Sequence, residues 1–362
     1  MTPAIHQFTA GFTRGDAISN EAIAFRTIFR AWGHASTIFS EPKCIMPELR
    51  AETGDAAAYA RTCAADDVVL LHLSIGSPVN DLFAALPCRK VILYHNVTPS
   101  HYFKLVNPRT ATQLDRGRNQ VKALAGIAER NLAVSRFNAR ELEAVGYRDV
   151  RVLPLVVDFD QLENRIDEAT VASVSDGLTN ILFVGRCVPN KRIEDLLAVF
   201  ACYQRTVNPD SRLIHVGAWQ GAERYHSLLE AQVRDSDARH VLFAGAVPQA
   251  ELNAYYAAAH VFLCMSEHEG FCIPLLESMA HGVPVLAYDA GAVAETLDGA
   301  GVLLLSRRLD MAAEMLHRLA QPGPVREAVL AAQTERLTRY RKRDLAHELR
   351  DHLAPLLTPR PA

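Results

Sequence analysis

Apolar residues in this chain follow two rhythms that alternate along its length. Short unbroken runs read as strands buried on both faces; longer stretches with apolar positions every third or fourth residue read as amphipathic helices. In the first half, DDVVLLHLS, RKVILYHN and RNLAVS are the strand-like runs. AISNEAIAFRTIFRAWG places Ile18, Ala22, Phe25 and Phe29 on one helical face and stops at Gly33, and FNARELEAVG is a shorter helix closed by Gly146. The second half restarts the pattern, with NILFVGR, SRLIHVG, HVLFAGAVP, HVFLCMS and VPVLAY as strands. KRIEDLLAVFACYQRTV, QAELNAYYAAA and LLESMAHG are the helices between them. From Asp310 onward the pattern is helical and partly basic, as in RLTRYRKR, which reads as a solvated face.

Strand and helix in alternation predict parallel α/β architecture. Between the halves, ENRIDEATVASVSDGLTN is polar and weakly patterned, so we place a linker at roughly 158–178. The expected organisation is two doubly wound, Rossmann-like domains. The first spans 1–158 and is rejoined by a last helix at about 340–362; the second spans 178–335. A chain of 362 residues is longer than one core usually supports, which agrees.

Composition narrows the function. A net charge of −3 argues against a general nucleic-acid binder. No run of 18 apolar residues exists, and MTPAIHQFTAGFTRGD lacks a basic start followed by an apolar core, so the expected location is cytoplasmic. Seven cysteines, with no C-x-x-C pair, suggest reduced thiols and give no structural zinc signature. Lys104, Arg109, Arg116, Arg118 and Lys122 make a basic stretch. Solvated surface is the default reading for it; acceptor contact, or peripheral contact with the inner membrane face, stays open.

The chemistry concentrates in SEHEGFCIPLLESMAHGVPV, where Glu269 and Glu277 have seven residues between them. EHEGFC is a loop after a strand, Pro274 suits a first helical turn, and both carboxylates fall near a helix N-terminus. The bland reading makes Glu277 a helix-dipole residue worth about 0.3–1 kcal/mol, and Glu269 a solvated loop residue. A second strand-to-helix loop, FVGRCVPNKRIEDLL, offers Arg186 and Lys191. Alone these are more often two exposed cations, but a guanidinium fork beside an ammonium is also the chemistry of a diphosphate cradle. Like charges about 4 Å apart repel by about 4 kcal/mol near a surface. Glutamates beside a bound diphosphate must therefore accept from neutral hydroxyls on either side of it. Hydroxyls, diphosphate and hydroxyls describe a sugar nucleotide.

GRCVPNK, VLFAGAVPQAELNAYYAAAHVFLCMS, EHEGFCIPLLESMAHGVPVLAYDAGAVAET and GAGVLL together resemble the retaining family 4 glycosyltransferases of GT-B fold, over about residues 180–305. YHNVTP and LAVSRFNARELEAVGY are similar to first-domain segments, and GDAISN with HN-x-TP resembles a bacterial polysaccharide-type subset. The resemblance implies two Rossmann-like domains facing a cleft. It implies Arg186 and Lys191 on the donor diphosphate, Glu277 on the nucleotide ribose, and Glu269 with the amides of Gly270, Phe271 and Cys272 on the donor sugar. Val247 would line the base pocket, and His95 would lie near the reacting sugar. Gly15 and Asp16 fall in the first-domain loop that contacts phosphate or acceptor.

Two departures stand out: Cys272 replaces the usual glycine, and Gly11 and Gly15-Asp16 replace an adjacent glycine pair. Asp158-Phe159-Asp160 is read as a turn, with no metal required, and Tyr255-Tyr256 as core packing. The implied activity is transfer of a hexose from a UDP- or GDP-sugar to a saccharide or glycolipid, without cofactor. An epimerase of the same fold, or a non-catalytic sugar-nucleotide-binding subunit, remains the alternative, and the oligomeric state is open.

Overall fold

The computed structural model describes residues 2–358. Seven parallel strands form the first sheet: β1 (Ile5–Thr9), β2 (Ile38–Ser40), β3 (Thr53–Asp55), β4 (Val68–Leu73), β5 (Arg89–Tyr94), β6 (Arg130–Ala133) and β7 (Val150–Val152). Their spatial order is β3-β2-β1-β4-β5-β6-β7. Six parallel strands form the second: β8 (Thr179–Val184), β9 (Ser211–Val216), β10 (Val241–Gly245), β11 (Val261–Cys264), β12 (Val285–Tyr288) and β13 (Val302–Leu304). Their order is β10-β9-β8-β11-β12-β13. Both sheets follow the doubly wound pattern, whose direction reverses between β1 and β4 and again between β8 and β11. At such a reversal the two flanking loops diverge to opposite faces and leave a crevice at the carboxyl ends of the strands.

Buried strands explain the unbroken runs. Every residue of β4 and of β11 is buried, so neither face can be polar. β1 (IHQFT) has two adjacent polar residues between Ile5 and Phe8, so it shows neither an unbroken apolar run nor a regular alternation; β2, β3 and β7 are only three residues each. The Ala17–Ala31 helix buries Ala22, Phe25 and Phe29 and ends in a left-handed Gly33.

The chain divides into two compact units. One takes residues up to His101, Arg109–Val156, and the chain from Asp344 onward; the other takes Tyr102–Pro108 and Val157–Arg343. The last helix, Leu345–Leu357, is fastened to the first unit by Arg89, whose Nη1 donates to the carbonyls of Leu356 and Thr358 at 2.5 Å. Arg130 Nε adds a bond to the carbonyl of His352 at 3.2 Å. The final residues assigned to that element, 359–362, lie outside the described residues.

The segment expected as a linker folds. Asp158 and Asp167 cap the short helices Phe159–Leu162 and Glu168–Val174, which bury Leu162 and Val174. Asn253 Nδ2 donates to the carbonyl of Gln161 at 2.9 Å, and Asp167 N donates to that of Ala250 at 3.0 Å. One buried anchor per short helix is too little apolar pattern to read from sequence. The basic stretch is also divided. Lys104 belongs to the second unit, Arg116 pairs with Asp81 at 2.7 Å, and Arg118 donates to the carbonyl of Val97 at 2.7 Å. Among the described residues no helix is long and apolar enough to cross a membrane.

Gly217, just past β9, meets the end of β8 so closely that a Cβ there would stand 1.9 Å from the carbonyl oxygen of Gly185. Gly217→Ala must push backbone against backbone. It should lower the unfolding free energy by more than about 1 kcal/mol, read as a fall in Tm of the intact chain.

Candidate active site

Two loops leave the carboxyl ends of β8 and β11, the strands on either side of the reversal in the second sheet. The first carries Gly185, Arg186 and the short Pro189–Lys191 helix; the second carries Glu267 through Cys272 and enters the Ile273–Ala280 helix. Asn190 ties them together: its Nδ2 donates to the carbonyl of His268 at 3.1 Å, and its own carbonyl accepts from Glu267 N at 2.9 Å. Lys191 completes the seam. Its Nζ lies 2.7 Å from both carboxylate oxygens of Glu269, with the lysine side chain 20% and the glutamate 6% exposed. Burial by itself would lower the Lys191 pKa, but the Glu269 carboxylate outweighs it and the net shift is upward, so the ammonium stays charged.

Glu269 is positioned from behind as well. Its carbonyl accepts from Ala292 N at 2.9 Å, and Gly291 passes so near that a Cβ there would lie 2.3 Å from the same oxygen. Gly291 holds φ at +60°, where glycine pays no steric cost. Phe271 is pinned through its carbonyl by Thr296 Oγ1 at 2.5 Å. The backbone N–H groups of Gly270, Phe271 and Cys272 find no acceptor among the described residues, so they remain as donors at the positive end of the Ile273–Ala280 helix.

Glu277 sits in the second turn of that helix rather than the first, which removes the dipole reading of it. Tyr256, read from sequence as core packing, is buried and donates its hydroxyl to Glu277 Oε2 at 2.7 Å. Burial raises the Glu277 pKa, opposed by that hydrogen bond. A buried tyrosine hydroxyl needs a partner, and this was the available signal.

Arg186 is exposed, and its guanidinium has neither hydrogen bond nor ion pair among the described residues. The backbone beneath it is held by His215 on β9, which donates Nε2–H to the carbonyl of Gly185 at 2.9 Å. Burial pushes the His215 pKa down to about 4, keeping the ring neutral. Lys191 Cε lies 3.9 Å from a Cβ built on Gly185, so the ammonium rises beside the residue that precedes Arg186. With Lys191 balanced by Glu269, Arg186 is the cation of these two loops that has no partner among the described residues. Val247 lies half-buried two residues beyond β10.

Cys272 caps the helix with φ at +74°, a left-handed conformation costly for any residue but glycine. Its thiol lies with Cys264 Sγ and a Glu269 oxygen inside 4.8 Å. The Cys264 partner, burial and the carboxylate all push the Cys272 pKa up. All seven cysteines are free.

Gly15, Asp16 and His95 belong to the first unit. Asp16 is the N-cap of the Ala17–Ala31 helix, accepting from Ser19 N at 3.0 Å, and Gly15 makes the turn before it with φ at +74°. His95 follows β5 directly. Its ring is 3% exposed, and its Nε2 is 3.0 Å from His72 Nδ1. Burial drives His72 down to about 3 and His95 well below its usual value.

Residues 171–328 match the family described as Glycosyl transferases group 1. Over 116 residues the chain is 36% identical to a GDP-mannose-dependent alpha-mannosyltransferase of Mycolicibacterium smegmatis, covering 32% of this chain and 27% of that protein. Over 231 residues it is 33% identical to the D-inositol 3-phosphate glycosyltransferase of Nocardiopsis dassonvillei, covering 60% and 53%. Over 152 residues it is 29% identical to the O-antigen chain mannosyltransferase B of Escherichia coli, covering 41% and 39%. The matched stretches thus span between 27% and 53% of these relatives' own length. Among solved structures, Anabaena Alr3699/HepE in complex with UDP and glucose superimposes with a TM-score of 0.71 at 16% identity, covering 97% of this chain and 100% of that one. Sucrose-phosphate synthase from Thermosynechococcus elongatus gives 0.72 at 17%, covering 98% and 99%. The shared fold is two Rossmann-like domains, the GT-B architecture.

Lys191→Ala leaves the Glu269 carboxylate buried beside no cation. It should cost on the order of 3 kcal/mol of stability, the usual penalty for breaking a buried pair from one side. Adding Glu269→Gln should return most of that loss. A double-mutant cycle by chemical denaturation reads the coupling directly.

Proposed function

We propose, from a chain that carries a glycosyl transferases group 1 domain on the GT-B framework, that it transfers a hexose from a nucleoside-diphosphate sugar to a saccharide or glycolipid acceptor. The observation that carries this reading is the meeting of the Lys191–Glu269 pair, the unpartnered Arg186 and three free amides at the strand reversal of the second sheet. The names of the mannosyltransferase relatives favour GDP-mannose as donor.

Arg186 and Lys191 would bind the diphosphate. Lys191 gives two N–H bonds to Glu269 and retains a third, so one ammonium can grip both the carboxylate and a phosphate oxygen. Glu277, backed by Tyr256, would accept from a ribose hydroxyl. Glu269 and the Gly270–Cys272 amides would orient the hexose, with the Cys272 side chain narrowing that end of the pocket. As the anomeric carbon–oxygen bond breaks, charge gathers on the leaving phosphate, and fixed cations there lower the barrier more than they aid ground-state binding. The acceptor hydroxyl would attack from the same face. Its oxygen bonds to the anomeric carbon and its proton passes to the departing phosphate oxygen, so configuration is retained and no protein nucleophile is needed.

The two cations would supply the charge that a metal provides in other transferases, making turnover independent of added magnesium or manganese. The reading places the protein on the cytoplasmic side, with a lipid-linked acceptor met at the inner membrane face.

Steady-state kinetics with GDP-mannose and a mannosyl or glycolipid acceptor test the assignment. Arg186→Ala should depress kcat at least about a hundredfold, in the range of removing one transition-state donor. Glu277→Gln should raise the donor KM about tenfold or more with kcat less affected, consistent with about 1.5–3 kcal/mol for a charged hydrogen bond. Tyr256→Phe controls for lost support of Glu277. Wild-type kinetics in Arg186→Ala, or conversion of donor with no acceptor present, would overturn the reading.

A further inference from the structure

The second unit holds two thiols whose sulfur chemistry the transferase reading does not use. Cys264 is the last residue of β11 and wholly buried; Cys272 is the N-cap of the Ile273–Ala280 helix and nearly so. Seven residues, Met265 to Phe271, separate them and form the loop that carries Glu269. Folding that loop back brings the two sulfur atoms, with one Glu269 oxygen, within 4.8 Å of one another. The Lys191 ammonium already lies against both oxygens of that carboxylate, so a metal cation would have to compete with it. What remains is the chemistry of two thiols.

The two sulfurs are not equivalent. Cys264 Sγ donates to Ser266 Oγ at 3.4 Å, which fixes its direction. The hydrogen bond between the two thiols lowers the pKa of Cys264 and raises that of Cys272, so Cys264 is the readier nucleophile. Cys272 is the one with any solvent exposure. It holds φ at +74°, a conformation that costs any side chain and that glycine adopts freely. Cys264 is fixed, because β11 is an interior strand paired to β8 and β12. A disulfide needs its sulfurs about 2.0 Å apart. Closure must therefore draw the helix N-cap toward the strand, and the amides of Gly270, Phe271 and Cys272 shift with it, against the bond from Thr296 to the Phe271 carbonyl.

We propose that Cys264 and Cys272 form a modification site, a dithiol that a hydroperoxide closes into a disulfide, and that closure switches the donor loop off. The Cys272 sulfur attacks one peroxide oxygen; the S–O bond forms, the O–O bond breaks, and the departing hydroxide takes the thiol proton to become water. The Cys264 sulfur then attacks the sulfur of this sulfenic acid. The S–S bond forms, the S–O bond breaks, and the leaving hydroxide takes the second proton. Two thiols are oxidised and one peroxide is reduced to two waters. Exchange with two equivalents of a small thiol, which departs as its own disulfide, reopens the pair. The bridge stands apart from the donor assignment; only the switching rests on it.

The test treats the full chain with hydrogen peroxide, blocks the remaining thiols by alkylation and maps cross-linked peptides by mass spectrometry, with GDP-mannose turnover followed in parallel. Expected is a peptide pair joined through Cys264 and Cys272 and separated again by dithiothreitol. Turnover should fall about a hundredfold, as a displacement on the order of 1 Å can cost, and return with dithiothreitol. Neither Cys264→Ala nor Cys272→Gly should form the bridge, and Cys272→Gly should show the same turnover before and after peroxide. No bridge in wild type overturns the proposal. So does a bridge formed instead between Cys63 and Cys88, the neighbouring thiols of the first unit. A loss of turnover that persists in Cys272→Gly, or a bridge that leaves turnover intact, overturns the switch. A reduced chain that transfers no hexose counts against the donor assignment instead, and the bridge is then judged on the peptide map alone.

Discussion

The ion pair between Lys191 and Glu269 is the contact on which the second unit's rim depends. Each residue sits at the carboxyl end of a different strand, and these strands flank the only place in a doubly wound sheet where neighbouring loops part. A glutamate side chain that is 6% exposed is tolerable as a carboxylate only with a partner, and a lysine side chain 20% exposed gains from the same arrangement. Asn190, Gly217 and Gly291 serve this pair. Asn190 stitches the two loops, Gly217 lets the chain after β9 pack against Gly185, and Gly291 lets the chain after β12 pack against Glu269. Of the two cations on these loops, Lys191 is committed to Glu269, while Arg186 is exposed and makes no hydrogen bond or ion pair among the described residues.

Repulsion from a diphosphate is one reason for a neighbouring carboxylate to face hydroxyls. Glu269 has a second: it is paired with Lys191, so a bound anion would meet it as half of a neutral pair. Glu277 solves the problem differently. It is buried in the second turn of its helix, its pKa is raised, and one of its oxygens is held by the Tyr256 hydroxyl. The two carboxylates that look alike in the sequence are thus different chemical objects.

Much of the second unit was legible because parallel strands buried on both faces leave unbroken apolar runs, and the helix signals around Pro274 and Gly282 are local. Arg186, Lys191 and Glu269 could be grouped from sequence because they lie in loops that such a fold must place at one rim, and Glu277 because it lies on the helix that follows the second loop. What escaped was whatever depends on contact between distant segments. Asn190 looks like any turn asparagine, and Tyr256 like any core aromatic, until the partner is known. Glu21, His72 and His95 are 51 and 23 positions apart in sequence and share a triangle of under 4 Å. The stretch 158–178 looked like a linker because each of its short helices buries a single apolar anchor. Cys272 was visible as a departure from glycine, but its left-handed backbone was not.

Amide hydrogen exchange with and without a nucleoside-diphosphate sugar tests the central claim most directly, since it reports where a ligand sits without presuming a reaction. The account predicts new protection concentrated on the two loops, residues 185–191 and 266–275, and weakened when Arg186 is replaced by alanine. Protection confined to other surfaces, or none at saturating concentrations of the GDP- and UDP-sugars, would contradict it.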